Sequence, residues 1–360
     1  MPPPRKKSKP SADIFKKAKQ SAKDAATGGG DDDAAPTDAR SKAQAAVPIG
    51  ERRNAAFEAY YGEQLFPEDP EGLRAFANAM TAPTPMTLRL HQTQPPSVRR
   101  RAAEQLRAFG GGVRPVLWAQ ELLPWRHDAG GGEVKGEEDM VWECSHDEYH
   151  ARPAFEAWCR SAHRGGRVNF QESVSLLPAL LAALAPHHAV ADLCAAPGSK
   201  TTQALDIMHR AAEAARQREG GGGTEPPWPS FPSGFVVANE ADGDRARLYL
   251  AGRLRHLTTP CAAVTIGPAQ SLPVGGHGGG LARAFDRVLC DVPCSGDGTL
   301  RKDPTGWRRW SPRDGLELHG LQVKTWSGPC TRHDGLFSAL RVSESSLIFA
   351  LDRSHLCFPR

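Results

Sequence analysis

A chain of 360 residues, 39% hydrophobic and with eight cysteines but no C-x-x-C pair, can build two ordinary cores yet offers neither a zinc nor a disulfide framework. Its longest apolar run, Leu176 to Pro186, cannot span a bilayer, and no apolar segment follows the basic N-terminus as in a secretory signal. The net charge of +4 lies wholly in residues 1–50, with ten Lys/Arg against six Asp, so the balanced remainder makes no global case for nucleic acid.

Residues 1–47 are rich in Ala, Lys, Asp, Gly and Pro with almost no large apolar side chains, which predicts a disordered basic tail. Arg5-Lys6-Lys7-Ser8-Lys9 reads as a nuclear-import signal, an RNA-attracting tail or simply a solvated one. From Glu51 the pattern becomes that of a folded chain. Ala55 to Tyr61 and Gly72 to Met80 predict amphipathic helices, Met86 to Leu90 a strand, Ser97 to Phe109 a helix and Val113 to Trp118 a second strand. These elements predict a small N-terminal α/β domain over 48–165. Its helix with Arg99, Arg100, Arg101 and Arg107 is either a solvated face or an RNA contact. The glycine runs at 110–112, 130–132, 220–223 and 278–280 read as loop insertions, because none opens a helix after a strand.

Gln171 to Leu184 predicts an apolar helix leading into strand Ala189-Val190-Ala191. Asp192-Leu193-Cys194-Ala195-Ala196-Pro197-Gly198-Ser199-Lys200 then makes a tight turn into a helix running to Glu219. A helix start after a strand offers unpaired N–H groups to an anionic or hydroxyl-bearing ligand. The turn has neither G-x-G-x-x-G nor the P-loop pattern, which disfavours dinucleotide and P-loop readings, and a nicotinamide dehydrogenase fails on the missing glycine fingerprint. Gly234 to Glu240, Cys261 to Ile266 and Phe285 to Val292 predict further strands, with a helix at Asp244 to Leu254. The alternation predicts an α/β, doubly wound, mainly parallel Rossmann-like sheet over 166–322, binding its ligand beyond the carboxyl ends of the strands.

Three strand ends carry chemistry. Glu240 can take both hydroxyls of a ribose, or be a solvated strand-end acid. Asp291-Val292-Pro293-Cys294-Ser295-Gly296-Asp297 places an acid and a thiol in a glycine-rich turn after a buried strand, where a thiolate can add to an electron-poor carbon or leave again. Cys290, in mid-strand, reads as packing. Trp307-Arg308-Arg309-Trp310 suits phosphates and stacked bases, and equally a helix start with a packed tryptophan.

DLCAAPGSKTTQ, GFVVANE, FDRVLCDVPCSGDGTLRKDP and the WRRW…LELHGLQ run resemble the Sun-type (NSUN) RNA cytosine-5-methyltransferases, nearest to the eukaryotic tRNA-modifying branch, over about residues 52–322. The resemblance implies S-adenosylmethionine as cofactor, contacted by Cys194, Ala195, Ala196, Pro197, Gly198, Ser199 and Lys200, with Glu240 on the ribose and Asp291 near cofactor and base. It implies RNA, most of all tRNA, as partner, with a flipped cytosine as target, no membrane and no metal. It implies a nuclear or nucleolar protein, otherwise a cytoplasmic one. In the family's reaction a cysteine adds to carbon 6, carbon 5 takes the methyl group, and loss of the carbon-5 proton releases the enzyme.

Two departures stand out. Pro268 occupies the position of the family's adenine-binding aspartate, and losing one charge-assisted hydrogen bond costs on the order of 1.5–3 kcal/mol. The attacking cysteine of the family ends a Thr-Cys strand motif, absent from the divergent segment 323–360, whose Cys330 and Cys357 do not fit it. Cys294 is then the assisting, product-release thiol. The last strands of the sheet are expected to be missing or replaced, with Ser346 to Leu351 a weak strand candidate. The alternative is a catalytically inactive or truncated RNA- or cofactor-binding relative. A DNA cytosine methyltransferase, which also uses a Pro-Cys thiol, is disfavoured by CAAPGSK and CSGDGT.

Overall fold

The computed structural model describes residues 52–122, 140–218, 230–272, 285–330, 338–343 and 346–348. The expected basic tail, the glycine runs at 130–132, 220–223 and 278–280, and Cys357 lie outside the described residues.

Two N-terminal helices, α1 (Ala55–Leu65) and α2 (Pro70–Thr81), start on side-chain caps: Asn54 accepts from Phe57 N and Asp69 from Gly72 N. They are followed by β1 (Met86–Leu90), α3 (Pro96–Phe109), β2 (Arg114–Pro115) and α4 (Leu117–Glu121). The expected strand Val113 to Trp118 therefore shrinks to a two-residue pairing, and Leu117 already begins a helix. Gly110 and Gly111, both with positive φ, make the turn out of α3. Next come β3 (Val141–Cys144), α5 (His146–Ala151), α6 (Pro153–Arg164) and β4 (Val168–Phe170). The four strands form an antiparallel sheet in the order β2-β3-β1-β4, so this sheet reaches Phe170, beyond the expected boundary at 165.

The second sheet carries the candidate site. After a 3-10 turn (Ser173–Leu176) and the short helix α7 (Leu177–Leu181), β5 (Ala189–Asp192) leads into the long helix α8 (Ser199–Arg218). β6 (Phe235–Glu240) precedes α9, which runs through Gly243–Arg245, a π-helical Ala246–Leu250 and Ala251–Leu254. β7 (Ala262–Ile266) and β8 (Arg287–Cys290) follow, then α10 (Gly306–Arg309) and α11 (Pro312–Cys330). β9 (Ser338–Ser343) and β10 (Ser346–Ile348) complete a six-stranded sheet in the order β10-β9-β8-β5-β6-β7. All its neighbours pair parallel except β9 and β10. The doubly wound parallel sheet expected from the alternation is present. The divergent segment fills its edge with strands of its own rather than leaving it open.

Val190, Leu205, Ile207, Met208, Val236 and Leu289 form the main core between α8 and the sheet. The seam between the two sheets is polar and buried. Arg89 on β1 forms an ion pair with Asp206 on α8 and donates to Gln171 Oε1 at 3.1 Å and Thr202 Oγ1 at 2.8 Å. Asp206 also accepts from Gln92 N at 2.6 Å and faces His91 Nδ1 at 3.1 Å. Arg99 grips both oxygens of Glu213, at 2.9 and 2.8 Å. Arg99 is thus a buried structural arginine and not an RNA contact, whereas Arg100, Arg101 and Arg107 remain exposed.

Candidate functional site

β5 lies between β6 and β8, and the chain departs from it in both directions, first to β6 and β7 and later to β8 and β9. That is the topological switch point where ligands of open parallel sheets bind. Three chain segments leave the sheet there. Leu193 N donates to Leu289 O at 2.9 Å and Ala195 N to Asn239 O at 2.8 Å, so the exit of β5 is stitched to both neighbours. Asn239 is fully buried and donates to Leu193 O at 3.0 Å and Gly267 O at 2.9 Å, while Thr265 Oγ1 donates to it. One polar residue therefore ties the exits of β5, β6 and β7 together. Its signal in the sequence was a lone amide inside the apolar run GFVVANE.

The turn continues through a cis Ala196–Pro197 peptide to Gly198, whose φ of 108° is closed to ordinary side chains. A Cβ there would stand 3.1 Å from Leu250 and 3.4 Å from Arg253. α8 begins at Ser199, with its first N–H groups at the mouth of the turn. Lys200 Nζ reaches Asp291 Oδ2 at 2.7 Å, joining the start of α8 to the exit of β8. Glu240 is buried; it accepts from Ala196 N at 3.3 Å and from Asp242 N at 3.0 Å, with Arg245 at 3.6 Å. Those contacts leave acceptor capacity on both carboxylate oxygens, the acceptor pair a ribose diol needs. Asp192 is buried, accepts from Thr201 Oγ1 at 2.7 Å on one oxygen and has no hydrogen-bond partner on the other. Burial raises its carboxyl to about 7, with the Thr201 hydrogen bond opposing. An orphaned acceptor, a glycine-floored turn and a half-satisfied strand-end acid together fit a ligand that brings amino and hydroxyl donors.

The thiols divide by surroundings. Cys290 is buried in β8 and packs with Val288 and Val292, as its mid-strand position suggested. Burial pushes the Cys194 thiol well above its ordinary value, which keeps it protonated. Cys294 is half-exposed, in a turn held from three sides. Gln322 Nε2 donates to Pro293 O at 2.9 Å; Tyr61 Oη and Trp310 Nε1 donate to the two oxygens of buried Asp297 at 2.5 and 2.7 Å. Burial and the Asp297 hydrogen bond drive the Tyr61 phenol far upward, so it stays a donor. Neither Tyr61 nor Asp297 was evident as a site residue, because they are 236 positions apart.

Trp307 and Trp310 are both buried, each with its ring 5.0 Å from that of Phe57. Asn54 Nδ2 donates to the carbonyls of both tryptophans. The aromatic–cation run therefore packs α1 onto the Cys294 turn, and its tryptophans are not available to stack on bases; Arg308 and Arg309 stay exposed. Pro268 starts a 3-10 turn (Ala269–Ser271) after β7, with no side-chain acceptor at that point. Cys330 ends α11, while β9 and β10 contain no cysteine. Among the described residues no three His, Cys, Asp or Glu side chains converge as metal ligands, and no helix is long and apolar enough to cross a membrane.

Residues 231–336 match the 16S rRNA methyltransferase RsmB/F family. The chain is 32% identical over 288 residues to a multisite-specific tRNA:(cytosine-C(5))-methyltransferase of Saccharomyces cerevisiae, which covers 76% of this chain and 38% of that protein. It is 37% identical over 163 residues to the tRNA (cytosine(34)-C(5))-methyltransferase of Drosophila melanogaster, covering 44% and 20% respectively. The chain thus spans well under half the length of these relatives. The crystal structure of PH0851 superposes with a TM-score of 0.51 at 17% identity, over 78% of this chain and 52% of that one. At that identity the likeness is one of fold.

Proposed function

We propose that this chain, whose residues 231–336 match the RsmB/F family, is built as a Sun-type RNA cytosine-5-methyltransferase: it binds S-adenosylmethionine and positions a tRNA cytosine for methyl transfer to carbon 5, while turnover by this chain is limited by the missing attacking thiolate. The observation that carries this reading is the Lys200–Asp291 ion pair at 2.7 Å, which joins the glycine turn to the exit that bears Cys294. When bound, the cofactor supplies an electrophilic methyl group on a sulfonium. The turn Cys194 to Lys200 would hold its polar end, and Glu240 its ribose hydroxyls. Asp291 and Lys200 would orient the target base, and Cys294 would assist its release. An attacking thiolate is needed because the ring carbon is a poor nucleophile until carbon 6 is saturated. β9, the strand next to β8, has none. Residues 1–47 are proposed as a nuclear-import or RNA-attracting tail, with nucleus or nucleolus as the place of action.

The test is tritiated methyl transfer from S-adenosylmethionine to tRNA, run beside cofactor binding by calorimetry. The chain as it stands should bind cofactor and give little or no turnover. A chimera taking its residues after Gln322 from the yeast relative should methylate, and Cys294→Ala in it should stall release as a covalent RNA adduct. Absence of cofactor binding would overturn the assignment; robust methylation by the unaltered chain would show that Cys294 suffices. Pro268→Asp should tighten cofactor binding about tenfold or more, the size of one restored charge-assisted hydrogen bond. Unchanged affinity would mean that the adenine is held without that acceptor.

A further inference from the structure

A cleft of about 210 Å³ opens between the antiparallel sheet and α9. One wall comes from the α6–β4 corner with His163, Arg164 and Gly166; the other comes from Tyr249, Arg253, Arg255 and His256. His91 lies at its inner end, and no carboxylate lines it. Arginines and planar rings without a single acid form an uncommon lining in a chain whose folded part has balanced charge.

The walls are fixed against each other. Gly166, with φ of 63°, lies so close to His256 that a Cβ would stand 2.6 Å from the His256 carbonyl oxygen. Gln94 Nε2 donates to that same carbonyl at 3.3 Å. At the floor, buried Arg253 donates to Ser199 Oγ of the glycine turn, so the cleft abuts the candidate cofactor site. At the rim, Arg164 and Arg255 are exposed, and among the described residues neither guanidinium has an ion-pair or hydrogen-bond partner. Burial lowers His91 and His163, whose Nδ1 atoms are engaged by Asp206 and by Val168 O, so the positive charge near neutrality comes from the arginines.

We propose that this cleft binds a single-stranded stretch of the substrate RNA beside the methyl-transfer centre, with Arg164 and Arg255 each on a phosphate and Tyr249 stacked on a base. The proposal rests on the reading of an RNA substrate given above. Guanidinium groups match phosphate oxygens bidentately, and aromatic rings interleaved with cations accept splayed bases of any sequence. Acidic peptides would satisfy the arginines but leave the ring surfaces unused.

The experiment measures tRNA binding to the full chain by fluorescence anisotropy over a salt series, for the unaltered protein and for Arg164→Gln/Arg255→Gln. Both positions are exposed, and unchanged cofactor binding by calorimetry controls for the fold. Removing two phosphate contacts should flatten the slope of log affinity against log salt by about 1.4–1.8. Tyr249→Ala should weaken binding by about tenfold with no change in slope, one stacking contact being worth about 1–3 kcal/mol. An unchanged slope in the double variant overturns the cleft while leaving the methyltransferase reading intact. No tRNA binding by the unaltered chain overturns both. Displacement of RNA by polyglutamate as effective as that by polyuridine overturns the assignment to nucleic acid.

Discussion

Arg89→Ala is expected to cost about 3–5 kcal/mol of folding stability, read as a lowered urea midpoint. Both partners of the pair are fully buried: the side chains of Arg89 and Asp206 are 0% exposed. Truncating the arginine strands a carboxylate in the seam with only His91 and the amides of Gln92 and Thr93. It also removes the donor to Gln171 Oε1 and leaves Thr202 Oγ1 with the longer bond from Asn169 Nδ2 at 3.4 Å. The penalty is that of an uncompensated buried charge, well above what an exposed ion pair is worth. Arg89→Lys keeps the charge and loses the fork that serves Gln171 and Thr202 together, so its loss should fall between wild type and alanine. A loss under 1 kcal/mol for alanine would mean that water enters the seam.

Asp192→Asn is expected to raise stability at pH 8 and leave it unchanged at pH 4. Burial raises the Asp192 carboxyl from 3.8 to about 7. The folded state then holds a proton that the unfolded chain has already released, so this group's contribution falls as pH climbs from about 4 to about 7. At 1.36 kcal/mol per pH unit the full penalty is on the order of 4 kcal/mol above pH 7. Asparagine removes the charge while its carbonyl still accepts from Thr201 Oγ1, which donates at 2.7 Å now. The comparison must be variant against wild type, because buried His188 and His209 are lowered to about 4 and give the opposite slope below their ordinary 6.5. Parallel stability–pH curves for the two proteins would mean that Asp192 ionises normally.

The strands that build the candidate site were legible because each is a short apolar run ending in a polar residue at a glycine turn. DLCAAPG, VVANE and VLCDVPCSG declare both their burial and their exits. Less legible were elements whose reason lies far away in sequence. Val141–Cys144 and Val168–Phe170 are only four and three residues long, and β1, their partner, comes more than fifty positions earlier. Arg89 sits in MTLRL where alternation suggests a solvent-facing residue; its partner on α8 makes it an interior one. Trp307 and Trp310 offered two readings until Phe57 and Asn54 supplied the contacts that bury them. β9 and β10 have little periodicity of their own; β9 is made a strand by pairing with β8, and β10 by pairing with β9.

The polar seam also limits how the two sheets can be put together. Apolar surfaces tolerate sliding, because one methyl group replaces another at little cost. A carboxylate such as Asp206 does not: a one-residue slip of β1 would set Leu88 or Leu90 where Arg89 now stands. Such a misdocked form would bury a bare charge at a cost of several kcal/mol. Arg99 on Glu213 and Tyr61 on Asp297 repeat the condition at two further points. Three separated buried polar contacts define a plane, so the halves join in one orientation, and the distance from the arginine-rimmed cleft to the Cys294 turn is inherited from that alignment.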